Sequence, residues 1–233
     1  MIRERVSAVS ERIAQAAERA GRDPAEITLV AVSKTQPPEA VREAYEAGVR
    51  VFGENRVQEA EEKKAALSSL PDAQWHLVGH LQANKARKAL DLFDLIHSLD
   101  GVELGQRLDR LATEGRQPYP VLVEVEMGGE ATKHGIDPSA VLGVLGRLKE
   151  LPHLSIQGLM CIPPPDPDTE KARGFFRRLR ALRDEAVSLG VLGGAQLSMG
   201  MSDDFEVAIE EGATLVRVGT AIFGERRALP PRQ

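Results

Sequence analysis

Two patterns of hydrophobic residues alternate along this chain. Short runs rich in aliphatic and β-branched residues predict strands, and each run is followed by a loop and a stretch with helical spacing. The runs predicted as strands are residues 27–32, 49–52, 75–78, 95–96, 120–125, 156–162, 195–199 and 215–218. Ahead of them, apolar residues from Ile2 to Ala20 recur at helical spacing and predict an amphipathic helix that ends at Gly21.

Strands that alternate with helices are typical of a parallel sheet. Eight such units in 233 residues favour closure into a (β/α)8 TIM barrel, with an open doubly wound sheet as the alternative. We find no linker or low-complexity run, and we interpret the proline-rich segment 162–167 as a stiff loop after the sixth strand. The sequence therefore predicts an α/β protein with one barrel domain over residues 1–233 and an extra N-terminal helix.

The composition of the chain argues against several classes of binding partner. Charged residues make up 28% of the chain with both signs mixed, and the net charge is −5, so we expect no nucleic-acid partner. The single cysteine, Cys161, allows no internal disulfide, and no zinc-binding pattern or other metal site is predicted. The N-terminus lacks the apolar core of a signal peptide and no run reaches membrane-spanning length, so we expect a cytoplasmic protein without a membrane partner.

The carboxyl ends of barrel strands are where function gathers in this fold. Lys34 stands two residues after the end of the first predicted strand. Desolvation at a barrel mouth makes an amine more nucleophilic and able to form an imine. An ion pair is the alternative role for this lysine, and the residue alone does not decide between the two.

Glycine and hydroxyl residues follow the last two predicted strands, in the segments 197–202 and 217–220. Loops at these positions commonly bind phosphate, because glycine lets the backbone approach and the start of the next helix offers free amides. Ser198 and Thr220 could add hydroxyl donors. Arg217 stands two residues before Gly219, so both face the same side of the strand and Arg217 is expected to point into the barrel. A guanidinium there needs either a buried carboxylate or a ligand atom as partner.

Two further polar residues end the second and third predicted strands. Asn55 could cap the helix that follows or contact a ligand. His80 could lie against a planar ring, transfer protons, or have a structural role.

Taken together, these segments resemble the pyridoxal phosphate homeostasis proteins. The resemblance rests on Ala31–Lys34, Phe52–Asn55, Trp75–Gln82, Leu197–Ser202 and Arg217–Gly224, and it extends over nearly the whole chain. It implies a fold-type III barrel like the N-terminal domain of alanine racemase, with pyridoxal 5′-phosphate (PLP) as cofactor.

The resemblance also implies a set of residues that contact the cofactor. The set comprises Lys34 as the Schiff-base lysine, Ser198, Gly219 and Thr220 at the phosphate, Arg217 facing the pyridine nitrogen, and Asn55, His80 and Met199 nearby. The loop at residues 127–130 departs slightly from the family pattern, where asparagine and isoleucine are expected.

The expected function is carriage and buffering of PLP in vitamin B6 homeostasis, with effects on amino-acid and keto-acid balance. An arginine at the ring nitrogen disfavours the protonated ring that amino-acid chemistry exploits, although racemases tolerate it. Neither Tyr45 nor Tyr119 follows a predicted strand, so a racemase-like second base is missing and no catalytic residue is expected. The alternatives are a racemase-like PLP enzyme and a PLP-free Schiff-base aldolase. The predicted protein is a monomer, and its expected partners are PLP and PLP-dependent apoenzymes.

Overall fold

The computed structural model describes residues 1–112, 118–128, 134–164, 166 and 168–225. Its strands are β1 Thr28–Val32, β2 Val51–Glu54, β3 Gln74–Leu77, β4 Leu95–Leu99, β5 Tyr119–Glu124, β6 Leu154–Met160, β7 Gln196–Ser198 and β8 Leu215–Val218. Its α-helices are α1 Ile2–Arg19, α2 Pro38–Glu46, α3 Val57–Ala66, α4 Ala86–Leu92, α5 Val102–Ala112, α6 Val141–Leu148, α7 Glu170–Ser188, α8 Phe205–Glu210 and α9 Thr220–Phe223.

The eight strands form a closed barrel in sequence order, and β1 pairs in parallel with both β2 and β8. The predicted (β/α)8 barrel is therefore confirmed. The fourth strand is longer than its apolar pair predicted, because His97 and Ser98 continue it with side chains that are fully buried. The seventh strand is shorter than predicted and ends at Ser198.

Apolar side chains pack in two layers. The larger cluster fills the space between the strands and the surrounding helices. A smaller cluster inside the barrel consists of Val30, Val78, Leu95, Leu122, Met160 and Leu215. Helix α1 packs its apolar face against α2, α8 and α9, which confirms the predicted amphipathic helix. Across the described residues, no helix combines the length and the apolar character that a bilayer crossing requires.

Candidate functional site

A cavity of about 240 Å³ opens beside the carboxyl ends of β1 and β8, and we call it the Lys34 cavity. It is lined by Val32, Lys34, Gln36, Asn55, Val78, Ile162, Met201, Ser202, Asp203, Arg217, Gly219, Thr220, Phe223 and Gly224. A larger groove of about 1670 Å³, the outer groove, adjoins it and shares Gln36, Asn55, Phe223 and Gly224 with it. We place the chemistry in the smaller space because it holds the lysine and the buried arginine.

The backbone that presents Lys34 is held in an unusual conformation. Lys34 is half-buried, and the next residue, Thr35, has φ +63°, which side-chain-bearing residues rarely adopt. The Thr35 amide donates a hydrogen bond to the Glu59 carboxylate. Strained backbone of this kind persists only where surrounding contacts enforce it, and it is often found at functional sites.

A buried polar cluster beneath Lys34 supplies such contacts. The Lys63 ammonium lies 2.7 Å from Glu54 Oε1 and 2.8 Å from Glu59 Oε1, and it also donates to the Ser33 carbonyl. The Ser33 hydroxyl donates to the same Glu54 oxygen at 2.6 Å. Burial raises the pKa of Glu54 while Lys63 opposes that rise. The cluster therefore ties both neighbours of Lys34 to β2 and α3.

Backbone amides converge on Ser202, which also lines the cavity. The amides of Gly219 and Ala221 donate to the Ser202 hydroxyl oxygen at 3.2 and 3.3 Å. Ser202 reaches this place because the chain turns after β7 at Gly200, which has φ +90°. A Cβ at Gly200 would lie 2.5 Å from the Cβ of Ala208, so only glycine fits this turn.

Arg217 forms the floor of the cavity and has an exposed fraction of only 4%. Its guanidinium donates to Ser198 Oγ at 2.6 Å and to the Cys161 carbonyl at 2.8 Å. Two of the guanidinium nitrogens thus donate to neutral oxygen atoms. The sequence had suggested a carboxylate or a ligand atom as the partner of this side chain. Burial lowers the pKa of Arg217, but a guanidinium stays charged in proteins.

Two histidines extend this network into the barrel. His97 Nδ1 lies 2.8 Å from Ser198 Oγ, and His97 Nε2 lies 3.0 Å from His76 Nδ1. Arg217 can only donate to Ser198, so the serine proton is free to point at His97. Both imidazoles are then neutral with their protons on Nε2. Burial agrees with this assignment, since it lowers the pKa of His76 to about 4 and that of His97 well below its usual value.

The neutral His76 predicts a stability change in acid. Its unfolded-state pKa of about 6.5 exceeds the folded value, so the unfolded chain binds more protons and stability is lost as the pH falls from 6.5 towards 4. Between pH 8 and pH 5 this one group should cost about 2 kcal/mol. His76→Gln keeps a neutral polar group, so denaturant unfolding at the two pH values should show a smaller loss for this variant.

The half-exposed His153 provides the control for that experiment. His153→Gln should leave the acid-induced loss as large as in the unmodified protein. A loss in His76→Gln equal to that of the unmodified chain would contradict the buried neutral assignment.

Five of the predicted binding residues line one cavity: Lys34, Asn55, Arg217, Gly219 and Thr220. Asn55 does not cap the next helix, because α3 begins after Arg56 and its N-cap makes no side-chain hydrogen bond. Cys161 is fully buried and burial raises its pKa to about 12, as expected of a structural thiol. Of the loop after β5, residues 129–133 lie outside the described residues, and so do Pro165 and Pro167 of the proline-rich loop.

The structure places the other three predicted residues elsewhere. Ser198 and Met199 are fully buried beneath the cavity, and the Ser198 hydroxyl is engaged by Arg217 and His97. His80 lines the outer groove and not the Lys34 cavity. Ser202, which the sequence analysis missed, supplies the hydroxyl at the cavity wall. The signal was present, because Ser202 is the second serine of the same motif and follows the turn at Gly200.

Comparisons with known proteins identify relatives of this chain. The family described as "Alanine racemase, N-terminal domain" matches residues 5–227. The pyridoxal phosphate homeostasis protein of Aquifex aeolicus (strain VF5) is 48% identical over 224 residues, which is 96% of this chain and 98% of that protein. The protein of the same name from Pseudomonas aeruginosa is 47% identical over 225 residues, 97% of this chain and 96% of that one.

Solved structures show the same kinship. PipY of Synechococcus elongatus PCC7942, solved with PLP bound, has a TM-score of 0.84 and 43% identity, covering 96% of this chain and 100% of that one. Alanine racemase of Corynebacterium glutamicum shares the fold, with a TM-score of 0.65 and 20% identity over 97% of this chain and 64% of that one. By sequence and by fold, this chain belongs to the pyridoxal phosphate homeostasis protein family.

Proposed function

We propose that this protein binds PLP in the Lys34 cavity, holds it covalently on the Lys34 amine, and carries and buffers it for other proteins. The observation that supports this most directly is one cavity lined by a lysine amine and by Ser202, on which two backbone amides converge. A phosphate and an aldehyde on one small rigid molecule match those two features. PipY, a relative matched over its whole chain, was solved with PLP bound.

The residues present fit this cofactor. Oxygens of a phosphate accept hydrogen bonds from amides such as those of Gly219 and Ala221, which in this structure donate to the Ser202 hydroxyl that a phosphate would displace. Ser202 and Thr220 add hydroxyl donors. Apolar side chains of Val32, Val78 and Ile162 provide walls for a planar ring. When bound, PLP supplies an aldehyde that condenses reversibly with amines and a ring that withdraws electrons. Ser202 thus takes the phosphate role that the sequence analysis gave to Ser198.

Carriage is favoured over turnover by the surroundings of the ring. Arg217 would face the ring nitrogen with a permanent positive charge, which disfavours a proton on that nitrogen. A ring without that proton withdraws electrons less strongly from a bound amino acid. Both tyrosines are engaged away from the cavity, since the Tyr45 hydroxyl donates to Asp72 and the Tyr119 hydroxyl to the Phe93 carbonyl. Neither tyrosine is placed to serve as a second base.

The test combines transfer and turnover. PLP-loaded protein, freed of unbound PLP, is mixed with a PLP-dependent apoenzyme, and the recovery of that enzyme's activity is followed. The same protein is incubated with a panel of α-deuterated amino acids, and loss of the deuteron is followed by NMR. Carriage predicts recovery of activity and no loss of the deuteron.

Two results would speak for the alternatives. Deuteron loss that disappears in a Lys34 variant would replace carriage by a racemase-like enzyme. Failure to take up any PLP would exclude carriage and favour a Schiff-base aldolase.

The same proposal includes a monomer in the cytoplasm. The buried free thiol of Cys161 suits a reducing compartment. Light scattering coupled to size-exclusion chromatography measures the oligomeric state.

A further inference from the structure

Three side chains that can bind metals meet at the mouth of the barrel, outside the Lys34 cavity. His80 follows β3, Asp100 follows β4, and His134 lies in the loop after β5. One potential ligand atom from each lies within 4.8 Å of the other two. His80 Nδ1 is 3.2 Å from Asp100 Oδ2, and the His80 and His134 rings are stacked with centroids 3.6 Å apart and planes 8° apart.

We propose that His80, Asp100 and His134 form a binding site for Zn²⁺. Two imidazoles and one carboxylate are a ligand set that zinc accepts, and they leave a fourth position for water or a small anion. The three loops come from consecutive strands of the barrel, so the closed sheet itself brings the ligands together. Residues far apart in sequence carry no spacing pattern, which is why the sequence analysis predicted no metal site.

The geometry permits zinc after one local movement. With Zn–N and Zn–O bonds near 2.0–2.1 Å, ligand atoms at tetrahedral corners lie about 3.3 Å apart. The His80–Asp100 pair already has this spacing. Lone pairs of two parallel rings cannot point at one ion, so one imidazole must rotate out of the stack. Both rings belong to exposed residues, which leaves room for that rotation.

The electrostatics of the site also favour a cation. Asp100 provides a carboxylate, and its negative charge is among the causes that raise the pKa of the neighbouring Glu124 to about 7, after burial. A metal binds only an imidazole nitrogen that carries no proton, so acidification should weaken zinc binding.

Other side chains with affinity for zinc are poor competitors. Cys161 is fully buried, and His76 and His97 are engaged in the barrel interior. His153 is half-exposed beside Asp109, at 3.3 Å, and offers only a pair of ligands. It therefore gives a matched control variant: a histidine next to an aspartate, without the third ligand.

The experiment uses untagged protein, stripped of metal with a chelator and free of PLP, which itself binds metals. Isothermal titration with Zn²⁺ is run on the unmodified chain and on His80→Ala, His134→Ala and His153→Ala. We expect one Zn²⁺ per chain, a loss of affinity of at least tenfold for His80→Ala and His134→Ala, and no change for His153→Ala. A spectrum with Co²⁺ in place of Zn²⁺ should show tetrahedral coordination in the unmodified chain and lose it in the first two variants.

Absence of zinc binding by the unmodified chain would overturn the proposal, as would equal affinities in all four proteins. Each variant is also loaded with PLP in a separate measurement. Normal PLP uptake by His80→Ala and His134→Ala shows that they are folded and separates failure of the zinc site from failure of the proposed PLP site. Should either variant fail to fold, His80→Asn and His134→Asn give the same comparison with smaller disturbance.

Discussion

Lys34→Ala is expected to abolish covalent attachment of PLP to this protein. Among the described residues that line the cavity Lys34 is the one lysine, and a primary amine is required for the imine bond. Treatment of the PLP-loaded unmodified protein with borohydride should fix the cofactor to the peptide that contains Lys34, as peptide mass spectrometry would show. The variant should give no such adduct, and its visible spectrum with PLP should lack the band of the bound imine.

Two further variants test whether PLP attachment requires the Lys34 amine itself, and not only a positive charge at that position or any lysine nearby. Lys34→Arg keeps the positive charge but cannot form the imine, so it should also fail to trap PLP while it retains weaker reversible binding through the phosphate end. Lys85→Ala removes a lysine that lines the outer groove, and trapping should be unchanged. Equal trapping by Lys34→Ala and the unmodified chain would show that another amine holds the cofactor, and the proposed anchor would be wrong.

The sequence predicted the parts of the cavity that depend on strand position. Lys34 follows β1 and Arg217 lies in β8, two strands that are neighbours only when the barrel closes. Counting eight alternating units was enough to expect closure, and closure brings the two residues to one cavity. Asn55, Gly219 and Thr220 follow from the same reasoning, since they stand at or beside strand ends.

Residues whose position depends on the path of a loop were harder to predict. Ser198 and Ser202 are both hydroxyls of one motif, and only the left-handed turn at Gly200 decides which of them faces the cavity. His80 stands one residue beyond Gly79, where a Cβ would lie 2.5 Å from the Asn55 carbonyl, and this tight crossing directs the chain into the outer groove. Neither a turn nor a crossing is visible in hydrophobic periodicity.

The sequence also did not predict which polar residues lie buried inside the barrel. β4 was predicted over two apolar residues, because His97 and Ser98 break the apolar run. Their burial depends on partners from other strands: His97 bonds to Ser198 and His76, and the Ser98 hydroxyl bonds to the Gly79 carbonyl. Hydrogen bonds between buried residues that are far apart in the sequence cannot be derived from a local pattern.

Lys63→Met is expected to lower the free energy of unfolding by about 3–5 kcal/mol, the usual cost of leaving a buried charge without its partner. The side chains of Lys63 and Glu54 are 5% and 0% exposed, so water cannot replace the lost ammonium. Glu54 Oε2 already lacks a hydrogen-bond partner among the described residues, and without Lys63 only the Ser33 hydroxyl would still donate to the carboxylate. Denaturant unfolding of the PLP-free protein measures the change.

A second substitution distinguishes two causes of the stability loss in Lys63→Met: the charge of Glu54 left without a partner, and the packing lost with the lysine side chain. Glu54→Gln in the Lys63→Met background removes the orphaned charge, so the double variant should recover part of the stability. As a control, Lys88→Met breaks an ion pair with Glu61 whose side chains are 43% and 47% exposed, and it should cost no more than about 1 kcal/mol. A loss in Lys63→Met as small as that of Lys88→Met would contradict a stabilising buried cluster.

The same variant links stability to function. Lys63 also holds the Ser33 carbonyl, and Glu59, its second partner, accepts from the Thr35 amide, so both neighbours of Lys34 depend on one ammonium. Without it, the strained backbone at Thr35 loses its support, and PLP trapping by borohydride should become slower under conditions where the variant remains folded. Unchanged trapping in a destabilised but folded Lys63→Met protein would show that the cluster stabilises the barrel without positioning the amine.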